Sequence, residues 1–66
     1  MNIDEIQGSW NQVVGKVREQ WGRLTEDELA RSEGRIEYLT GVIQEKYGKT
    51  KDEAKKELEE FFGRLH

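Results

Sequence analysis

The 66-residue sequence predicts an all-α domain of four short helices, arranged as two similar helical hairpins. Three observations carry that expectation. Apolar residues recur every third or fourth position, glycines interrupt the pattern at matching places in the two halves, and a Thr-x-x-Glu pair follows one interruption in each half.

Ile3, Ile6, Trp10, Val13, Val14, Val17 and Trp21 form one stripe at about 100° per residue, which predicts an amphipathic helix from about residue 3 to 21. Gly22 is the expected stop, because glycine takes the left-handed conformation without the steric cost of a Cβ. Thr25 with Glu28 then reads as a capping box, each side chain satisfying a free backbone N–H of the other, and opens a short second helix. Between that helix and the third, Gly34 is the only breaker, and a helical glycine costs only about 1 kcal/mol relative to Ala. A continuous middle helix, giving three helices in all, is therefore the alternative. Ile36, Leu39, Ile43 and Tyr47 repeat the apolar stripe, Gly48 repeats the stop, and Thr50 with Glu53 repeats the capping box. A last helix carries Ala54, Leu58, Phe61, Phe62 and Leu65.

The break at Gly34 is favoured by an internal repeat. Laying the segment from Gly8 over the segment from Gly34 superposes Gly8, Gly15 and Gly22 on Gly34, Gly41 and Gly48. It also places Trp10 on Ile36, Val13 on Leu39, Val17 on Ile43, Glu19 on Glu45 and Trp21 on Tyr47. The reading is one domain, residues 1–66, with halves of about 3–33 and 34–66.

Composition bounds what such a domain can do. A core of this size supplies only about 3–5 kcal/mol unless something staples it, and with no cysteine there is neither a disulfide nor a thiolate zinc site. With 38% charged and 33% hydrophobic residues the chain lies near the composition of disordered proteins, but two Trp, two Tyr and two Phe at helical spacing argue for a fold. The net charge of −3 mixes both signs along the chain, which gives no basic field for nucleic acid. The start Met-Asn-Ile-Asp-Glu lacks the basic and apolar regions of a secretory signal, and no apolar run reaches membrane-spanning length, so a cytoplasmic location is expected.

The run Trp10, Gly15-Lys16-Val17, Trp21-Gly22, Leu24-Thr25, Glu33-Gly34, Gly41, Gln44-Glu45, Tyr47-Gly48 and Ala54 resembles the CsbD-like family of small bacterial stress-associated proteins over about residues 8 to 55. The resemblance implies a bacterial cytoplasmic protein induced under general stress, and two helical hairpins packed crosswise, similar to sterile-alpha-motif domains. It brings no catalytic residues, and it is silent about Phe61, Phe62 and His66.

The residues themselves offer no catalytic constellation. Glu26-Asp27-Glu28, Asp52-Glu53, Glu57 and Glu59-Glu60 are explained as helix N-terminal acids or solvated pairs, such as Asp52 with Lys56 one turn on. His66 is the single histidine, and no nucleophile–base arrangement or phosphate loop is present. We expect no catalytic, cofactor-binding or metal site, no cofactor and no small-molecule substrate. Trp10 and Trp21 lie near Lys16, Arg18 and Arg23, as in helices that settle on membrane surfaces, but their place in the stripe with Val13 and Val17 assigns them to the core.

Gly8 and Gly15 fall on the back of the first helix, away from the stripe. Gly34 and Gly41 occupy the equivalent back of the third, flanked by Tyr38 and Val42, which makes that helix apolar over a wider arc. Either the third helix is central and most buried, or Gly34, Tyr38, Gly41 and Val42 form a surface for self-association or for a client protein. Around Gly41 we expect another backbone or a partner subunit to pass close by, whereas Gly15, among Asn11, Gln12, Arg18 and Glu19, should be solvated. The expected function is a non-enzymatic, stress-associated helical protein acting through protein contacts, its own or a partner's, or as a soluble protectant. A membrane- or nucleic-acid-surface module is the alternative, the nucleic-acid form disfavoured by the mixed charge and the membrane form by the place of both Trp in the apolar stripe.

Overall fold

The computed structural model describes residues 8–65, and these contain four helices and no strand: α1 (Trp10–Gln20), α2 (Glu26–Ser32), α3 (Ile36–Tyr47) and α4 (Lys51–Gly63). The expectations for Ile3, Ile6 and His66 fall outside the described residues.

The α1 helix starts at Ser9, whose carbonyl accepts from the N–H groups of Gln12 (2.9 Å) and Val13 (3.2 Å). It buries Trp10, Val13 and Val17, as the stripe requires. Its end differs from expectation. The chain leaves the helix at Trp21 (φ −125°, ψ 80°), and Gly22 does not adopt positive φ. The Trp21 N–H still donates to the Val17 carbonyl (2.8 Å), while the Trp21 carbonyl accepts from the Leu24 N–H (3.1 Å) and closes a tight turn. Trp21 and Leu24 are both buried. The burial of two large side chains therefore reverses the chain here, and no left-handed residue is needed.

The α2 helix opens on the expected capping box: the Glu28 N–H donates to the Thr25 hydroxyl oxygen (3.1 Å) and the Thr25 N–H donates to the Glu28 carboxylate (2.9 Å). It ends at two consecutive left-handed residues, Glu33 (φ 52°) and Gly34 (φ 79°). That pair excludes the continuous middle helix, since a right-handed helix cannot pass through it. Ser32 secures the turn from inside the core. Its hydroxyl donates to the Leu29 carbonyl (2.7 Å) and accepts from the Gly34 N–H (3.3 Å), while its carbonyl accepts from the Arg35 N–H (2.9 Å).

The α3 helix ends as expected, on a left-handed Gly48 (φ 65°), and α4 starts on the second capping box, Thr50 with Glu53. The α3 helix packs along α4 and against α2. The core draws on every element: Leu39 and Ile43 from α3, Ala54, Leu58, Phe61 and Phe62 from α4, and Leu29 from α2 join the α1 residues with Trp21 and Leu24. Two contacts fix the tryptophans within it. The Trp10 indole N–H donates to the Leu29 carbonyl (2.7 Å), the acceptor that Ser32 also uses, and Trp21 meets Phe61 edge-to-face, with ring centroids 5.0 Å apart and planes at 69°.

The aligned positions Val13 and Leu39, and Val17 and Ile43, are buried in both segments. The turns differ, because Leu24 stands between Arg23 and Thr25 whereas Lys49 leads directly to Thr50. That additional residue is a core residue and accompanies the earlier end of α1.

Candidate interaction surface

The four residues singled out on and before the third helix do not share one environment. Gly34 is buried in the α2–α3 turn, and Val42 is half-buried against the core. Tyr38 and Gly41 remain on the outside, with Tyr38 39% exposed, a large hydrophobic side chain left open to solvent. At about 100° per residue Glu45 lies between them on the same face and is exposed. The α3 helix does run between α2 and α4, but its outer face is bare. The expectation that another part of the chain passes close to Gly41 is overturned: a Cβ built there meets no atom within 4 Å. The reason is directional, since the buried Leu39, Thr40 and Ile43 set the packed side of α3 opposite to Tyr38 and Gly41.

Beside this face, a polar clasp joins the α1–α2 turn to the end of α3. The Arg23 guanidinium donates to the Lys46 carbonyl (3.2 Å), and the Lys46 ammonium donates back to the Arg23 carbonyl (3.0 Å). The Arg23 N–H donates to the Tyr47 hydroxyl oxygen (3.1 Å), and the Arg23 guanidinium carbon lies 5.5 Å from the centroid of the Tyr47 ring. Lys46 also reaches the Glu28 carboxylate (2.6 Å) of the first capping box. Arg23 thus caps the C-terminal end of α3, where carbonyls lack partners within the helix. In the sequence Arg23 is one of the cations near Trp10 and Trp21, and nothing in its spacing announces this arrangement. The one available signal was Tyr47 at the position matching Trp21, an aromatic whose hydroxyl needs a polar neighbour when its ring is packed.

Several carboxylates cap helices or form ion pairs. The Lys46 ammonium first, then the Thr25 backbone N–H, hold the Glu28 carboxyl below its usual range. The Thr50 backbone N–H does the same to Glu53. Both shifts favour the charged form and move away from neutral pH, the opposite of what a general acid or base near pH 7 requires. Glu26 pairs with Arg18 (2.8 Å), Asp27 with Arg31 (3.2 Å), and Glu57 with Lys49. The expected pairing of Asp52 with Lys56 is not formed; both side chains are exposed, where such a pair is worth only about 0.3–0.5 kcal/mol. Among the described residues no group of three or more His, Cys, Asp or Glu side chains is placed to hold a metal ion, and no helix is long and apolar enough to cross a membrane. Trp10 and Trp21 are 7% and 2% exposed, so neither presents its ring to a surface.

Comparison with known proteins places the chain in a family. No solved structure matches the chain. A UPF0337 protein of Bordetella pertussis is 55% identical over 64 residues, covering 97% of each chain. One from Pseudomonas aeruginosa is 48% identical over 65 residues, covering 98% of this chain and 100% of the relative. The UPF0337 protein YjbJ of Escherichia coli K12 is 53% identical over 58 residues, covering 88% and 84%. The family model described as CsbD-like matches residues 4–56, from ahead of α1 into α4 and across both tryptophans, both capping boxes and the clasp, and the chain therefore belongs to the CsbD-like family.

Proposed function

We propose that this chain is a non-enzymatic, stress-associated protein of the bacterial cytoplasm that acts by contacting protein through the outer face of α3 around Tyr38 and Gly41. Membership of the CsbD-like family supports the bacterial stress association. The observation that carries the contact surface is Tyr38, 39% exposed beside a glycine with open space above it. Tyr is enriched at protein interfaces, and the open backbone at Gly41 lets a partner approach closely. The non-enzymatic part of the reading is supported by Glu28 and Glu53, which cap helices with their charged forms favoured, and by the ion pairs that Glu26 and Glu57 make.

The test is a photo-cross-linking amino acid at position 38, compared with the same group at Lys16 on the exposed side of α1, in bacteria before and after stress. Protein adducts specific to position 38, appearing with stress and lost when Gly41→Lys is added, are expected. Identical adducts at both positions, or adducts to lipid alone, would contradict the reading.

A further inference from the structure

The two halves of the chain, α1–α2 and α3–α4, meet through a compact set of contacts. Besides the packing of α2 against α3, these are the edge-to-face pair of Trp21 with Phe61, the reciprocal bonds between Arg23 and Lys46, the packing of Arg23 on Tyr47, and the ion pair of Lys46 with Glu28. Other contacts stay within the first half: Trp10 to the Leu29 carbonyl, Ser32 to the same carbonyl, and Arg18 with Glu26. What links the halves covalently is the short segment Glu33, Gly34, Arg35 between α2 and α3.

That segment is folded back by two successive left-handed residues, Glu33 (φ 52°) and Gly34 (φ 79°). Glu33 is the only non-glycine residue with positive φ among the described residues, in a conformation that L side chains adopt reluctantly. A short connection under backbone strain between two packed units is the situation in which identical elements exchange between copies.

We infer that a second copy of this chain is a partner through exchange of halves. The α1–α2 half of one copy packs on the α3–α4 half of another, with Glu33 and Gly34 released to negative φ. Every contact between halves is kept in the exchanged dimer. The balance between the two forms is therefore set at the hinge and by protein concentration. The closed hinge keeps two bonds that opening gives up, Gly34 N–H to the Ser32 hydroxyl oxygen (3.3 Å) and Arg35 N–H to the Ser32 carbonyl (2.9 Å), so the monomer dominates in dilute solution. Tyr38 takes no part, which separates this dimer from any contact made through the outer face of α3.

The experiment is refolding from urea at micromolar and at millimolar chain concentration, followed by size-exclusion chromatography with light scattering and by dilution of the dimer peak. The parent is expected to yield a dimer at millimolar concentration that persists on dilution, because separating it requires breaking the interface between halves. Gly34→Ala should raise the dimer-to-monomer ratio about tenfold, since an added Cβ is penalised in the closed hinge and tolerated in the open one. Glu33→Gly, which relieves the closed hinge, should lower the ratio several-fold, and Tyr38→Lys should leave it unchanged. If Gly34→Ala fails to fold, Glu33→Gly against the parent still decides. A parent that refolds only to monomer at millimolar concentration, a dimer that redistributes within the mixing time, a dimer lost in Tyr38→Lys, or a ratio unmoved by Glu33→Gly overturns the proposal.

Discussion

Backbone handedness at single residues separates glycines that look alike in the sequence. Gly22 and Gly48 hold matching places after aromatic residues, yet only Gly48 has positive φ (65°), and the nearest atom to a Cβ built at Gly22 is the Arg18 carbonyl oxygen at 3.9 Å. Gly48→Ala should therefore destabilise by about 1–2 kcal/mol. Gly22→Ala should be neutral or stabilise by up to about 1 kcal/mol through the unfolded chain. Paired urea melts would check both, and equal losses would mean that the two stops are the same after all. Trp21 makes a second contrast. Its indole N–H has no protein acceptor, so the ring and its contact with Phe61 hold it in the core. Trp21→Ala should cost about 3–5 kcal/mol, as much as a core of this size supplies, whereas Trp21→Phe should retain a cooperative fold. Thermal melts by circular dichroism distinguish these outcomes. The apolar stripe made Trp21 legible as a core residue, but not its departure from the helix, because the spacing of Trp21 fits the helical period whether or not the backbone is still helical there.

At the scale of the helix, the local signals were the readable ones. Both capping boxes form as the Thr-x-x-Glu spacing requires, since their partners lie within one turn of each other. The charged forms of Glu28 and Glu53 are favoured in the folded state, so their contribution is complete above the ordinary carboxylate range and is lost as pH falls through and below it. Stability should accordingly decline on acidification, and Glu28→Gln combined with Glu53→Gln should flatten that decline in urea melts taken across the acid range. The sequence sets the backs of α1 and α3 apart, and the structure does not, because pattern alone does not say which neighbouring element covers a face. Gly15 and Gly41 both prove open, with no atom within 4 Å of a built Cβ. Gly15→Ala and Gly41→Ala should each stabilise the monomer by about 0.5–1 kcal/mol through helix propensity, where the sequence suggested opposite signs. Chemical denaturation of both variants in dilute solution checks this, and a loss at Gly41 alone would restore a close neighbour on that face.

For the molecule as a whole, four helices and most of the core were legible, because the aromatic and aliphatic positions follow the helical period and the glycines punctuate it. Leu29 and Ser32 were missed, since α2 is too short to display a stripe, and so was the clasp, whose members are more than twenty residues apart in the chain. Such long-range pairings carry no spacing signature. They join the two halves here: the clasp and the Trp21–Phe61 contact tie residues of one half to residues of the other. Both tryptophans belong to this shared core and not to a surface-binding face. Equilibrium urea unfolding, followed together by tryptophan emission and far-UV ellipticity and repeated with anionic vesicles, tests it most directly. Native emission should be blue-shifted and unchanged by vesicles, with a single transition in which both signals coincide. Native emission typical of solvated indole that shifts to the blue on adding vesicles, or helicity lost in a separate step from the tryptophan signal, would contradict it.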